Sequence, residues 1–203
     1  MLNKNKERGI LFIILANIVF ATSYYIANKS TSLDNLYSIP TIAVIILVQY
    51  IIFRISASKV KNAQSIEKYY YKVLISSIMV LIAIQFIILY RYFNAKIDSY
   101  KVVSLIISYM LIYIGNIMPQ IKQNYIIGVR TKKSLNNEYV WRKSNIVGGI
   151  TLVITGVLLF VISLVLSGKC LILILLASVI LWSVFNDFYI NIYCKKNKIY
   201  YYK

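Results

Sequence analysis

The chain has 203 residues, 60% of them hydrophobic, with a mean hydropathy of +0.70 and a formal net charge of +17. Charged residues make up only 14%, against roughly 25% in an ordinary soluble domain, so an integral membrane protein is indicated and a soluble globular class excluded. With no histidine in the chain, His-based zinc sites, Ser-His-Asp and Cys-His catalysis and histidine proton relays are all removed.

Residues 1–8 are basic, and Gly9 to Ala27 is apolar and uncharged. A secretory signal peptide begins in the same way, with Val19-Phe20-Ala21 as a possible cleavage site. The apolar run continues past that point and is long enough to cross a bilayer, so it reads as the first span. A polar joint from Ala27 to Tyr37 leads to a second span, Ile39 to Ile55, with Pro40 in its first turn, where a missing N–H costs little. A basic segment, Ser56 to Lys72, precedes the third span, Val73 to Tyr90. The fourth span is Val102 to Met118, the fifth Ile146 to Leu166 and the sixth Cys170 to about Tyr193, followed by a basic tail. The expected fold is an all-α integral membrane protein, a six-helix transmembrane bundle. It divides into a first half at residues 1–98 and a second at 99–203. Cys170 and Cys194 stand at opposite ends of one span, about 36 Å apart along a helix, too far for a disulfide.

Six spans put both termini on one side. That side, with the second joint and the joint between spans four and five, carries eighteen Lys and Arg; the opposite side carries five. The positive-inside rule places both termini and the fourth-to-fifth joint in the cytoplasm, and it accounts for the basic balance without any direct nucleic-acid partner. The abundance of Ile, Lys, Asn and Tyr, including 19 Tyr, points to an AT-rich bacterial source, and a multi-pass protein of the cell membrane of a Gram-positive organism is expected.

The 27 residues from Pro119 to Asn145 form the longest interruption between spans. A joint of that length is either functional or disordered. Tyr125, Ile126, Ile127, Val129, Tyr139, Val140 and Trp141 give it too much apolar surface for a solvated linker. Gly128 permits a positive-φ turn. Ser134 can cap a short helix that has Glu138 in its first turns. Trp141 suits an interfacial belt position, and Gly148-Gly149 allows two helices to approach closely. Within the spans, Asn17, Gln49, Gln85, Asn116 and Asn186 suit interhelical hydrogen bonds. Asp187 is the single acid in any span, and an ion pair with Arg130 or another loop cation would fix the loop to the helices.

Gly115, Asn116, Lys122, Asn124, Gly128-Val129-Arg130-Thr131, Leu135, Val140-Trp141, Asn145 and Gly148-Gly149, in this order between two spans, resemble the SdpI family of bacterial membrane immunity proteins. The resemblance covers about the last 90 residues. Lys132-Lys133-Ser134 stands where the family has Pro-Trp-Thr, and Asn145 where it has His. The first half departs further, since the joint from Ala27 to Pro40 lacks the family's His. The resemblance implies a non-enzymatic protein without cofactors or metal that protects a toxin-producing cell from its own secreted peptide toxin. It further implies a toxin met on the outer face and a cytoplasmic repressor captured on the inner face. The loop residues expected to matter are Asn116, Asn124, Gly128, Arg130, Thr131, Trp141 and Asn145, with Asp187 in the membrane. An alternative is a small transporter or channel, with Asn116, Asn186 and Asp187 along a path. A lipid-modifying enzyme using Arg130 and the lysine pair to bind phosphate ranks last, because the chain offers no evident base or nucleophile.

Overall fold

In the computed structural model, which describes residues 4–28, 38–58, 63–93 and 96–197, the regular structure is helical. Seven α-helices follow in order: α1 Lys4–Asn28, α2 Ser38–Ser58, α3 Ala63–Phe93, α4 Ser99–Ile117, α5 Lys132–Asn136, α6 Glu138–Val165 and α7 Cys170–Lys196. All but α5 are long and apolar enough to cross a membrane. The six expected spans fall in these six helices, although α3 begins at Ala63, ten residues before the expected start at Val73 and within the segment read as a basic joint. The joint bearing Asp34 and the end of the basic tail lie outside the described residues.

The chain packs as two compact units, Met1–Ser99 and Tyr100–Lys203. In the first, α1, α2 and α3 are joined by polar rungs between apolar layers. The Asn17 amide donates to Gln85 Oε1 at 3.0 Å, the Gln49 amide donates to the Ser77 hydroxyl, and Arg54 pairs with Glu7. Ile14, Ile46, Leu74 and Tyr70 are buried around them. Each rung links two helices, at about 0.6 kcal/mol for a typical hydrogen bond inside a membrane protein.

The second unit is built on close backbone approach. A Cβ on Gly149 would stand 2.6 Å from the Gly115 carbonyl oxygen, and one on Gly156 would stand 2.9 Å from the Ser108 carbonyl oxygen. No side chain longer than hydrogen fits, so α4 and α6 meet backbone to backbone at these points. Such contacts let dispersion replace the hydrophobic driving force that lipid does not supply. Further along the same pair, the hydroxyls of Ser104 and Ser163 lie 2.6 Å apart and the Lys101 ammonium donates to the Leu164 carbonyl at 2.9 Å. Between α6 and α7, the Trp182 indole N–H donates to the Gly148 carbonyl at 3.0 Å.

The boundary of the fifth span differs from expectation. The apolar run begins at Ile146, yet α6 begins at Glu138, eight residues earlier. Asn137 is its N-cap, with the side chain accepting from the Val140 N–H at 3.1 Å, and Glu138 sits in the first turn, where its charge suits the helix dipole. The apparent 27-residue joint is therefore a 3-10 turn (Met118–Gln120), an irregular stretch, α5 and the protruding start of α6.

Candidate functional site

The irregular stretch is folded from the inside by side chains of its own sequence. Asn124 is 3% exposed and uses both ends of its amide. Its Oδ1 accepts from the N–H groups of Ile126 at 2.7 Å and Ile127 at 2.9 Å, while its Nδ2 donates to the carbonyls of Lys122 at 2.7 Å and Ile127 at 3.2 Å. One residue thus closes a tight turn. The chain then passes Gly128 at φ +122°, a backbone conformation that disfavours side chains. A Cβ there would also collide with Asn145 Oδ1 and crowd the Trp141 ring. Gly128 therefore answers both a turn and a close approach.

Asn145 and Trp141 hold this turn onto α6. The Val129 N–H donates to Asn145 Oδ1 at 3.0 Å, and Asn145 Nδ2 donates back to the Trp141 carbonyl at 2.9 Å. The indole N–H of Trp141 donates to the Ile121 carbonyl at 2.9 Å. Trp141, expected in an interfacial belt, is instead among the largest fully buried side chains of the protein, because the loop folds over it. The Val129 side chain fills the space above Gly148, where a Cβ would come within 2.5 Å of it. Val129 and Val140 share a core with Met118, Leu152, Ile190 and Cys194, so α6 and α7 both close on the loop.

Thr131 and Ser134 cap α5 reciprocally. Thr131 is the N-cap, with Oγ1 accepting from the Ser134 N–H at 3.1 Å, and Ser134 Oγ accepts from the Thr131 N–H at 2.9 Å. Ser134 is therefore the third helical position of a capping box rather than the cap itself, and it also donates to the Val129 carbonyl at 2.7 Å. Gln123 Nε2 completes the far end of α5, donating to the carbonyls of Ser134 and Leu135 at 2.9 and 2.8 Å.

Arg130 is exposed and donates to the Tyr125 carbonyl at 2.7 Å. It makes no ion pair with Asp187. Asp187 is exposed on α7 and accepts from the Asn191 amide at 3.3 Å, and the carbonyl end of that same Asn191 accepts from the Lys133 ammonium at 2.5 Å. The loop is thus tied to α7 through Lys133 and Asn191, with the acid one step removed. A neutral amide in the middle spares α7 a direct charge pair and its desolvation cost. Asn116 is exposed on α4 and its amide donates to its own helix at the Ile112 carbonyl. Asn186 is buried, donating to the Trp182 carbonyl at 2.7 Å. Asn116, Asn186 and Asp187 thus differ in exposure and partners, and the hydrogen bonds above connect none of them to another.

Of the expected residues, the loop brings together Asn124, Gly128, Thr131, Trp141 and Asn145. Arg130 lies on its outer side and Asn116 outside it. Gln123, Asn137 and Asn191 join the site without being among the expected residues. The Asn137-Glu138 pair before a periodic run is a start signal that could have been used. Gln123 and Asn191 act across the fold and carry no local signature. The arrangement segregates cleanly: Asn124, Ile126, Ile127, Val129, Ser134, Val140, Trp141 and Asn145 face inward, while Lys122, Tyr125, Arg130, Lys132, Tyr139, Arg142 and Lys143 are exposed.

A multi-pass membrane protein whose fourth and fifth spans carry a self-bonded basic loop is the class this geometry defines. Within that class, residues 120–188 match the model of the SdpI/YfhL protein family. Immunity protein SdpI of Bacillus subtilis (strain 168) is 27% identical over 155 residues, covering 76% of this chain and 73% of that protein. The resemblance carried by the loop motifs is thus found by both comparisons. No solved structure matches significantly.

Proposed function

We propose that this chain is a membrane immunity protein that protects the bacterium producing it from a secreted peptide toxin, acting as a binding protein and not as an enzyme. The observation that carries this reading is the segregated loop. Its Ile126, Ile127 and Val129 N–H groups are satisfied by Asn124 and Asn145 inside the loop, which leaves Lys122, Tyr125, Arg130, Lys132 and Arg142 as a basic and aromatic outer surface. The name of the Bacillus relative supports the immunity assignment. The excess of Lys and Arg on the loop side argues for a cytoplasmic loop, where such a surface suits an acidic partner such as a captured repressor. Reporters active only outside the cell should work when fused after residues 33 and 96 and fail after residues 62 and 132.

The test is a survival assay. Toxin-sensitive cells expressing the chain are challenged with the secreted peptide fraction of the source bacterium, beside cells carrying an empty vector. Protection is expected, and equal sensitivity rejects the immunity reading. Arg130→Ala, at matched membrane levels, should lose most of the protection while the loop stays folded. Full protection by that variant would show that the exposed arginine takes no part.

A further inference from the structure

Between α6 and α7 runs a groove of about 390 Å³, lined among others by Thr151, Thr155, Leu158, Ser178, Trp182 and Phe185. It extends from Thr151 to Ile162 on α6 and from Phe185 to Ile174 on α7, roughly 16 Å along each helix. The groove is long and almost wholly apolar, which suits a single extended hydrocarbon chain lying between the two helices.

The polar atoms along the groove are already used. The hydroxyl of Thr151 donates to the Val147 carbonyl at 2.9 Å, that of Thr155 to the Thr151 carbonyl at 2.9 Å, and that of Ser178 to the Leu175 carbonyl at 2.7 Å. The occupant therefore needs no hydrogen-bonding groups at this depth.

The residues above the groove supply a headgroup position. On α6 the apolar run begins at Ile146, which marks the hydrocarbon boundary. Thr151 lies five residues below it, roughly 7.5 Å, and exposed Lys143 three residues above it, roughly 4.5 Å, at the level of lipid phosphates. Lys143 and the groove residue Ile154 are eleven residues apart, three turns, and share one edge of α6. The nearby acids lie on other faces: Glu138 is about 160° around α6 from Ile154, and Asp187 about 140° around α7 from Trp182. We propose that the α6–α7 groove binds one acyl chain of an anionic phospholipid, with the phosphate held at Lys143.

The experiment titrates the full chain in detergent micelles with phosphatidylglycerol brominated on its acyl chains, reading tryptophan fluorescence. Trp182 lines the groove and Trp141 is buried in the loop, so quenching reports groove occupancy. Saturable quenching at about one lipid per chain is expected, with brominated phosphatidylcholine binding about fivefold more weakly. Thr155→Phe fills the groove and should remove the saturable phase, and Ser178→Leu is a second filling variant should the first not fold. Lys143→Gln should keep the saturable phase and equalise the two lipids. Quenching that rises without saturating, or a saturable phase that survives both filling variants, overturns the proposal. Equal affinity of the unaltered chain for the two lipids overturns the phosphate position. Loss of a dimer on filling, with quenching unchanged, assigns the groove to a second copy of the chain and also overturns it.

Discussion

Asn124→Ala is the sharpest test of the loop. The substitution removes two acceptor and two donor contacts in one step, all from a residue that is 3% exposed. A neutral hydrogen bond is worth about 1 kcal/mol net, and a buried group left without a partner costs ~1–3 kcal/mol. The two carbonyls can turn outward once the turn loosens; the N–H groups of Ile126 and Ile127 are held by the packing of both side chains, which are buried. The expected loss is therefore about 2–4 kcal/mol, most of it local to the loop. Amide hydrogen exchange in lipid nanodiscs reads this directly. Loop opening should make the Ile126 and Ile127 amides exchange roughly 30- to 700-fold faster, while amides in the middle of α6 keep their protection. Asn124→Asp should not rescue, because a carboxylate keeps the two acceptors and faces two carbonyls without a proton to offer. Unchanged protection of both amides in Asn124→Ala would refute the claim that this side chain folds the turn.

Gly149→Ala places a Cβ 2.6 Å from the Gly115 carbonyl oxygen and should cost about 1–3 kcal/mol in detergent unfolding titrations, whereas Gly9→Ala, inside α1 with nothing within 4 Å, should cost nothing and stabilise by up to about 1 kcal/mol. Trp141→Phe removes the indole donor, leaving the Ile121 carbonyl buried and unpaired, and also removes the ring atoms that lie against Gly128; a loss of about 2–4 kcal/mol is expected, read as a lower melting temperature. Asp187→Asn should leave melting and membrane level unchanged, because the new amide oxygen can still accept from Asn191. Asn191→Ala cuts the link between Lys133 and α7 and should speed proteolysis at the loop.

The six spans were legible because each is a long apolar run with at most one charge, and lipid tolerates little else. The glycines were legible for a related reason. Gly128, Gly148 and Gly149 stand where only a missing side chain could be useful, and each meets a neighbour there. What periodicity could not supply was the start of α6. Glu138 to Asn145 is polar enough to read as a loop, and its helical state depends on the Asn137 cap and on Trp141 being covered from above. The covering residues come from a segment with no regular structure, so no pattern announces it. The same gap explains the misplaced tryptophan: a Trp beside basic residues near a membrane boundary suits a headgroup belt, and only the Ile121 carbonyl above it says otherwise. Asp187 bonds to Asn191 and not directly to a loop cation, because Asn191, one turn further along α7, stands between it and Lys133, a relay that sequence distance does not reveal.

The early start of α6 has a mechanical consequence. Its 28 residues span roughly 42 Å, against about 30 Å of hydrocarbon. The surplus of about 12 Å is the length of the stretch from Glu138 to Asn145, a stiff post against which Trp141 and the loop residues bonded to it are packed. A post of that length is also a lever. If a thinner bilayer tips α6 by about 20°, the top of the post swings sideways by roughly 4 Å, carrying Trp141 and everything bonded to it. The thickness of the surrounding lipid thereby becomes an input to where this protein presents its cations.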